Sequence, residues 1–279
     1  MSLRKRSLPI GWYPQNEKQV RDFLEKIEIN EKKSCTVIAP HAGWFYSGKI
    51  AGRTIASLDP DVQTIVIIGG HLPAKAPVLF IGEDEVETPL GNLKIDCELR
   101  NLFVKEIGSA IPDRYQDNTI EVLLPIVSYF FPRVSIFPVR FPNELSSFER
   151  GKVLTELARS LNRKICVIGS TDLTHYGENY GFSPYGKGEK ALKWVKEVND
   201  SSFIQAIIDG VPEDILKNAE ENLSACSVGA VLGVLGFAKM CLADASLIAY
   251  STSAECDNNV PSSFVGYAGI AYPPARQRA

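Results

Sequence analysis

Long uninterrupted apolar stretches are missing from this 279-residue sequence. None reaches the ~20 residues that a membrane-spanning helix needs, and the best candidate, residues 228–237, is broken by Gly229, Gly233 and Gly236. A basic surplus is also lacking: the formal charge of −3 argues against a nucleic-acid groove. Arg4, Lys5 and Arg6, with Arg276 and Arg278 at the far end, read as solvated ends. No apolar run follows Arg4-Lys5-Arg6, so a secretory signal is not expected. The six cysteines show no disulfide-framework spacing and no CxxC pair. Two of them, Cys35 and Cys166, sit in apolar strand-like runs, where a free thiol acts as a small hydrophobe. These absences together fit a cytoplasmic protein, in a reducing compartment, with neither a membrane nor a nucleic-acid partner.

Histidine is scarce too. Only His41, His71 and His175 occur, and each comes just after an apolar, β-branched run that ends in glycine or a small polar residue. Such runs read as parallel strands buried on both faces. Ligands of α/β proteins bind at the carboxyl ends of such strands. Any one of these histidines alone reads as a satisfied polar residue in a turn. Three delivered to strand ends point to one shared site, and histidine is the commonest metal ligand.

The remaining pattern predicts a single three-layer α/β/α domain over residues 1–279, with a central mixed, largely parallel sheet. Strands are expected at residues 35–39, 64–68, 78–81, 85–88, 134–139, 165–168, 247–251 and 264–271. Helices are expected at residues 16–29, 48–58, 97–107, 144–161, 187–198, 201–209, 213–218 and 225–240. Another helix opens at Asn118, read as its N-cap with Glu121 three residues on, and Pro125 falls inside it.

Beside the histidines stand three candidates with two readings each. Asp172 either orients an imidazole through its second nitrogen or bonds to its own turn. Glu121 either reaches the site or only caps its helix. Cys226, with Ser224 as a helix N-cap, is either a thiolate favoured by a helix N-terminus or a buried small residue.

The order of several segments resembles the Memo family, which includes the mediator of cell motility and the prokaryotic AmmeMemoRadiSam system protein B. The segments are Pro40-His41-Ala42-Gly43 with Tyr46-Ser47-Gly48, Gly70-His71-Leu72-Pro73, Thr88-Pro89-Leu90-Gly91, Thr119-Ile120-Glu121 with Leu124-Pro125, Ser170-Thr171-Asp172-Leu173-Thr174-His175-Tyr176-Gly177, and Cys226. The resemblance implies the fold of class III extradiol dioxygenases, which are non-haem iron enzymes. It implies His41, His71 and Cys226 as metal ligands, His175 as acid/base with Asp172 beside it, and Tyr46 and Glu121 in the cleft or behind it. Cysteine in place of the dioxygenases' ligand glutamate favours softer metals, with iron(II) or copper(I) expected ahead of zinc. Many family members carry two adjacent histidines where this chain has Gly70-His71, a Glu-His pair where it has Asp117-Asn118, and Cys-Gly where it has Cys226-Ser227.

Three functions follow as expectations. One is a metal-dependent, dioxygenase-like oxidoreductase acting on an unknown small molecule. Another is a non-catalytic adaptor that holds a small-molecule or peptide ligand in a cleft lined by Trp44, Phe45 and Tyr46. The third is a copper- or iron-handling protein. The resemblance also implies a functional link to radical-SAM and AMMECR1-type proteins.

Overall fold

The computed structural model describes residues 1–29, 33–256 and 259–274, so Arg276 and Arg278 lie outside the described residues. In chain order the strands are β1 (Leu3–Arg4), β2 (Thr36–Ala39), β3 (Thr64–Leu72), β4 (Val78–Phe80), β5 (Glu85–Thr88) and β6 (Gly91–Ile95). They continue as β7 (Ala110–Pro112), β8 (Ser135–Pro142), β9 (Ile165–Ser170), β10 (His175–Gly177), β11 (Ser246–Thr252) and β12 (Ser263–Tyr272). The helices are α1 (Glu17–Leu24), α2 (Trp44–Ile55), α3 (Cys97–Ile107), α4 (Asn118–Glu121) and α5 (Leu124–Phe130). After them come α6 (Ser146–Ser160), α7 (Glu189–Trp194), α8 (Asp200–Asp209), α9 (Pro212–Asn222) and α10 (Val228–Met240).

The sheet runs in the order β1-β5-β6-β8-β3-β9-β2-β12-β10. Its centre is parallel: β3 pairs with β8 and β9, and β9 pairs with β2. The physical reason is clearest in β3, where Ile65, Val66, Ile67 and Ile68 are all wholly buried. Successive strand side chains point to opposite faces. Val66 and Ile68 join one apolar cluster with Ile38, Val167 and residues of α6 and α10. Ile65 and Ile67 join another with Val37, Ala39, Cys166 and residues of α1, α2 and α5. Helices therefore cover both faces, giving the three-layer α/β arrangement expected.

The apolar run at 228–237 is the centre of α10, in which every residue from 228 to 238 is buried. A helix that is apolar all round is buried all round. Its glycines let it pack backbone against backbone: a Cβ on Gly151 of α6 would lie 2.0 Å from the Gly233 carbonyl oxygen. Among the described residues no helix is long and apolar enough to cross a membrane.

This topology gathers the site. Strands β2, β3 and β9 are adjacent and parallel, so their carboxyl ends deliver residues 41, 71 and 170–172 to one edge. Helix α10 starts at that same edge, with Cys226 just ahead of it. Strand β12 runs antiparallel to β2 and carries β10, with His175, on its other side.

Several local expectations change. The first helix stops at Leu24, its N-cap being Asn16, whose side chain accepts from Gln19 N at 3.0 Å. Helix α2 begins earlier than expected because Trp44 is drawn into the core, its indole donating to the Val122 carbonyl at 2.9 Å. Asp117, not Asn118, caps α4 by accepting from Thr119 N. Pro125 opens a separate α5, where its missing N–H costs no hydrogen bond. The pieces expected at 187–198 and 201–209 run on as one helical rod through a π-helical turn at Val195–Asn199. Arg4 and Arg6 are not merely solvated: Arg4 donates to the Asp113 and Tyr115 carbonyls, and Arg6 to the Gln15 carbonyl.

Candidate metal centre

His41 is held by two short contacts from the end of β9 and the turn after it. Its backbone N–H donates to Asp172 Oδ1 at 2.7 Å, and its Nδ1 meets the Ser170 hydroxyl at 2.9 Å. With Nδ1 engaged, Nε2 faces inward, 3.3 Å from the Cys226 sulfur. Asn118 adds a further tether, its side-chain amide donating to the His41 carbonyl at 3.0 Å.

His71 reaches the same point through a bulge. Strand β3 shifts register between Gly69 and Leu72, and His71 takes a φ of 58°. A non-glycine residue in that left-handed region costs about 1–3 kcal/mol and persists only where its neighbours impose it. Here they do. Arg140 of β8, itself buried, donates from Nε to the Gly70 carbonyl at 2.9 Å and pairs with Asp117 at 3.1 Å. Asp117 in turn accepts from His71 Nδ1 at 3.2 Å. A carboxylate on the far nitrogen fixes the tautomer and leaves Nε2 for a metal. The His41 and His71 rings stand perpendicular, centroids 4.9 Å apart.

Cys226 arrives from the other side. Ser224 is not the N-cap expected; its hydroxyl donates to Asn218 Oδ1 at 2.8 Å, and Ser227 holds the cap position of α10. Cys226 still lies just ahead of the helix, its sulfur accepting from Asp172 N at 3.3 Å. Burial alone would push its thiol up, but the imidazoles of His41 and His71 outweigh that and hold it well below the usual thiol range. The reciprocal effect acts on the histidines. Burial works against their charged forms, yet the Asp172 carboxylate and Cys226 raise His41, and Asp117 with Cys226 raises His71 to about 10. Asp117, despite its burial, is held down to about 2 by His71, Thr119 and Arg140.

His41, His71 and Cys226 can thus present one ligand atom each, all within 4.8 Å of one another. Two ligands on one tetrahedral ion, with metal–nitrogen and metal–sulfur bonds of about 2.0 and 2.3 Å, sit about 3.5 Å apart. The 3.3 Å between the Cys226 sulfur and His41 Nε2 fits that separation. The donor set fits a metal ion.

A cleft of about 370 Å³ opens beside these residues, lined among others by Tyr46, Asn118, Asp172, His175, Tyr180 and Tyr267. His175 sits on its wall, its Nδ1 donating to the Leu173 carbonyl at 3.1 Å and its ring edge-on to Tyr180. Asp172, placed beside it by sequence, is turned to His41: its Oδ1 accepts from the His41 N–H and its Oδ2 lies 3.9 Å from His41 Nε2, while Ser170, Asp117 and the Leu173 carbonyl engage the Nδ1 atoms of the three histidines. Burial raises the Asp172 carboxyl, with His41 working the other way. Glu121 neither caps its helix nor lines the cleft. It accepts from Ser7 N, Leu8 N and the Tyr13 hydroxyl, anchoring the chain before α1. Of the aromatic trio at 44–46 only Tyr46 lines the cleft; Trp44 is core, and Phe45 is 73% exposed. Tyr180 and Tyr267 of the cleft wall were not singled out from the sequence, and Ser170 was there only as the first residue of a quoted motif, with no role given to it.

Comparison with known proteins decides the lineage. A family model described as Memo-like protein matches residues 4–271. The chain belongs to the Memo family. A MEMO1 family protein of Pyrococcus abyssi is 32% identical over 282 residues, covering 93% of this chain and 95% of its own. One from Pyrococcus furiosus is 31% identical over 288 residues, covering 95% and 98%, and one from Methanosarcina mazei 29% over 280, covering 97% and 99%. Among solved structures, an uncharacterized protein of Escherichia coli K12 superposes with a TM-score of 0.55 at 10% identity, over 85% of this chain and 99% of its own. That likeness is one of fold.

Two of this Memo chain's departures from the family pattern touch. A Cβ on Gly70 would lie 2.3 Å from the Ser227 Cβ, so the serine after Cys226 removes the room for a side chain before His71. Gly70→Ala should therefore lower stability by about 1–3 kcal/mol, and adding Ser227→Gly should restore most of it. Thermal melts of the double-mutant cycle decide; additive losses would refute the contact. In the metal-free protein, the three histidines are few enough to assign by NMR. The His71 imidazole should titrate near pH 10 and Asp117→Asn should bring it well below that. A His71 titration near the ordinary ~6.5 in the parent chain would contradict the Asp117–His71 pairing.

Proposed function

We propose that this Memo chain is a metal-dependent enzyme. In this reading His41, His71 and Cys226 hold one transition-metal ion at the floor of the cleft, and His175 exchanges a proton with a small organic ligand bound beside it. The observation that carries the proposal is the convergence of three ligand atoms, drawn from two strand ends and a helix start, next to a cleft large enough for a ligand. A structural metal site is closed by four protein ligands, whereas a catalytic one keeps a position open. Three protein ligands, two of which (His41 and His71) line an open cleft, belong to the second kind.

An iron(II) or copper(I) ion held there would supply redox chemistry and Lewis acidity to whatever binds next to it. The chain's own part is positional and protonic. Asp117 fixes the tautomer of His71 with Nε2 free, and Ser170 orients the His41 ring with its Nε2 toward Cys226. The two facing imidazoles, against burial, hold the Cys226 thiol well below its ordinary range and so favour the thiolate that a metal would bind. His175, with its Nδ1 proton given to the Leu173 carbonyl, keeps Nε2 to accept a proton from a ligand and return it. Because His71 is protonated up to about 10, uptake of metal must displace a proton. Apparent affinity therefore rises with pH from the ordinary imidazole range toward 10. A metal-handling role is favoured by one feature, the thiolate itself, which suits a soft ion; the open cleft and His175 favour turnover.

The test is metal content after anaerobic reconstitution with iron(II) or copper(I), measured by plasma mass spectrometry. The parent chain should retain about one equivalent, His71→Ala and Cys226→Ser should lose most of it, and His175→Ala should retain it. A ligand screen on the loaded protein should then show turnover that falls about 10²–10⁴-fold in His175→Ala. A metal-free parent chain, or loss of metal on replacing His175, would overturn the assignment.

A further inference from the structure

We propose that Asp200 is a positioning residue for His175, acting through the peptide group between Leu173 and Thr174. The proposal rests on the proton-exchange role given to His175 above. Asp200 opens α8 directly after the π-helical turn at Val195–Asn199, and it is wholly buried. A buried carboxyl is costly unless donors satisfy it. Its Oδ1 accepts from Thr174 N at 3.1 Å and from the Thr174 hydroxyl, and its Oδ2 accepts from the Tyr250 hydroxyl at 2.7 Å. Two of these three donors belong to the residue just before His175, and none of the three is a cation.

One peptide group makes the link. A trans peptide is planar, with its N–H and C=O pointing opposite ways. The N–H of this one is bound by Asp200, and its carbonyl, that of Leu173, takes the His175 Nδ1–H at 3.1 Å. Fixing one end therefore aims the other. The groups on either side are pinned to β12, where Leu173 N donates to the Gly266 carbonyl at 2.9 Å and Gly266 N to the Thr174 carbonyl at 3.0 Å. Asn199, the last residue of the π-helical turn, donates from its side-chain amide to the Thr174 hydroxyl at 2.9 Å and to the Asn222 carbonyl at 3.0 Å. The Thr174 hydroxyl, accepting there, spends its own proton on Asp200. Gly266 leaves the room for this clasp, because a Cβ on it would run into Asp200 Oδ2.

The chemistry follows from the charge. Burial raises the Asp200 carboxyl to about 6, with Thr174 and Tyr250 working the other way, so above that pH it is a carboxylate. A carboxylate on a peptide N–H polarises the group and makes its carbonyl a stronger acceptor. The Leu173 carbonyl thereby holds the His175 proton on Nδ1 and leaves Nε2 as the proton acceptor. A catalytic base is commonly oriented by a third group that touches no substrate. Asp172, the carboxylate closest to His175 in sequence, is committed to the His41 N–H. Asp200 takes the orienting part instead, across one peptide.

The test is long-range proton–nitrogen NMR of the imidazoles in the metal-free full-length chain at about pH 8.5, above the ordinary imidazole range. The parent chain should show His175 as the Nδ1–H tautomer, a reading that needs no variant. Asp200→Asn keeps the shape but replaces a charged acceptor with a neutral one, about half as strong. The ratio of Nδ1–H to Nε2–H forms of His175 should then fall about 2- to 10-fold, and the Thr174 amide proton should move upfield. The His41 and His71 signals should stay in place. Because no metal or substrate is present, the result decides the role of Asp200 whether or not the loaded chain turns anything over. An Nε2–H tautomer of His175 in the parent chain, a ratio unchanged in Asp200→Asn, or His41 and His71 signals that shift along with His175 would overturn the proposal.

Discussion

The 3.3 Å approach of the Cys226 sulfur to His41 Nε2 joins two parts of the chain 185 residues apart. Burial opposes charge on all of these groups, and their neighbours offset it: the imidazoles lower the Cys226 thiol, and Cys226 adds to what Asp172 and Asp117 do in raising His41 and His71. Low effective dielectric strengthens such mutual support and makes an unpaired member costly. The surrounding structure serves that cluster. Asp172 holds the His41 N–H through its carboxylate and donates its own backbone N–H to the Cys226 sulfur, and Arg140 and Asp117 hold a strained His71 in place.

The fold explains why so few elements suffice. Three adjacent parallel strands end at one edge, and a helix buried along its length begins there. Close backbone packing at Gly151 and Gly233 fixes where α10 starts and hence where Cys226 sits.

Much of this was legible in sequence because it rests on local pattern. Buried strands announce themselves as β-branched runs, and Cys97–Ile107 was legible to the residue because Asp96 caps it and Gly108 ends it in the left-handed region. The grouping of His41, His71 and Cys226 was legible only through resemblance, since nothing local says that residues 41 and 226 meet. What escaped depends on tertiary partners. Glu121 looks like a capping residue, yet three donors from residues 7–13 claim it. Asp172 looks like an imidazole's partner, yet the His41 N–H takes it. Asp117, given no role in the sequence, and Asn118, read there as a helix N-cap, prove to be wired to His71 and His41.

The central claim is that one ion is held by two imidazoles and one thiolate. X-ray absorption at the metal edge, on chain reconstituted anaerobically with iron(II) or copper(I), tests it most directly. The account predicts one sulfur neighbour near 2.3 Å with imidazole nitrogens near 2.0 Å, roughly as such bonds run, and loss of the sulfur signal in Cys226→Ser. A bound ion with no sulfur neighbour, or a spectrum unchanged by that substitution, would contradict it.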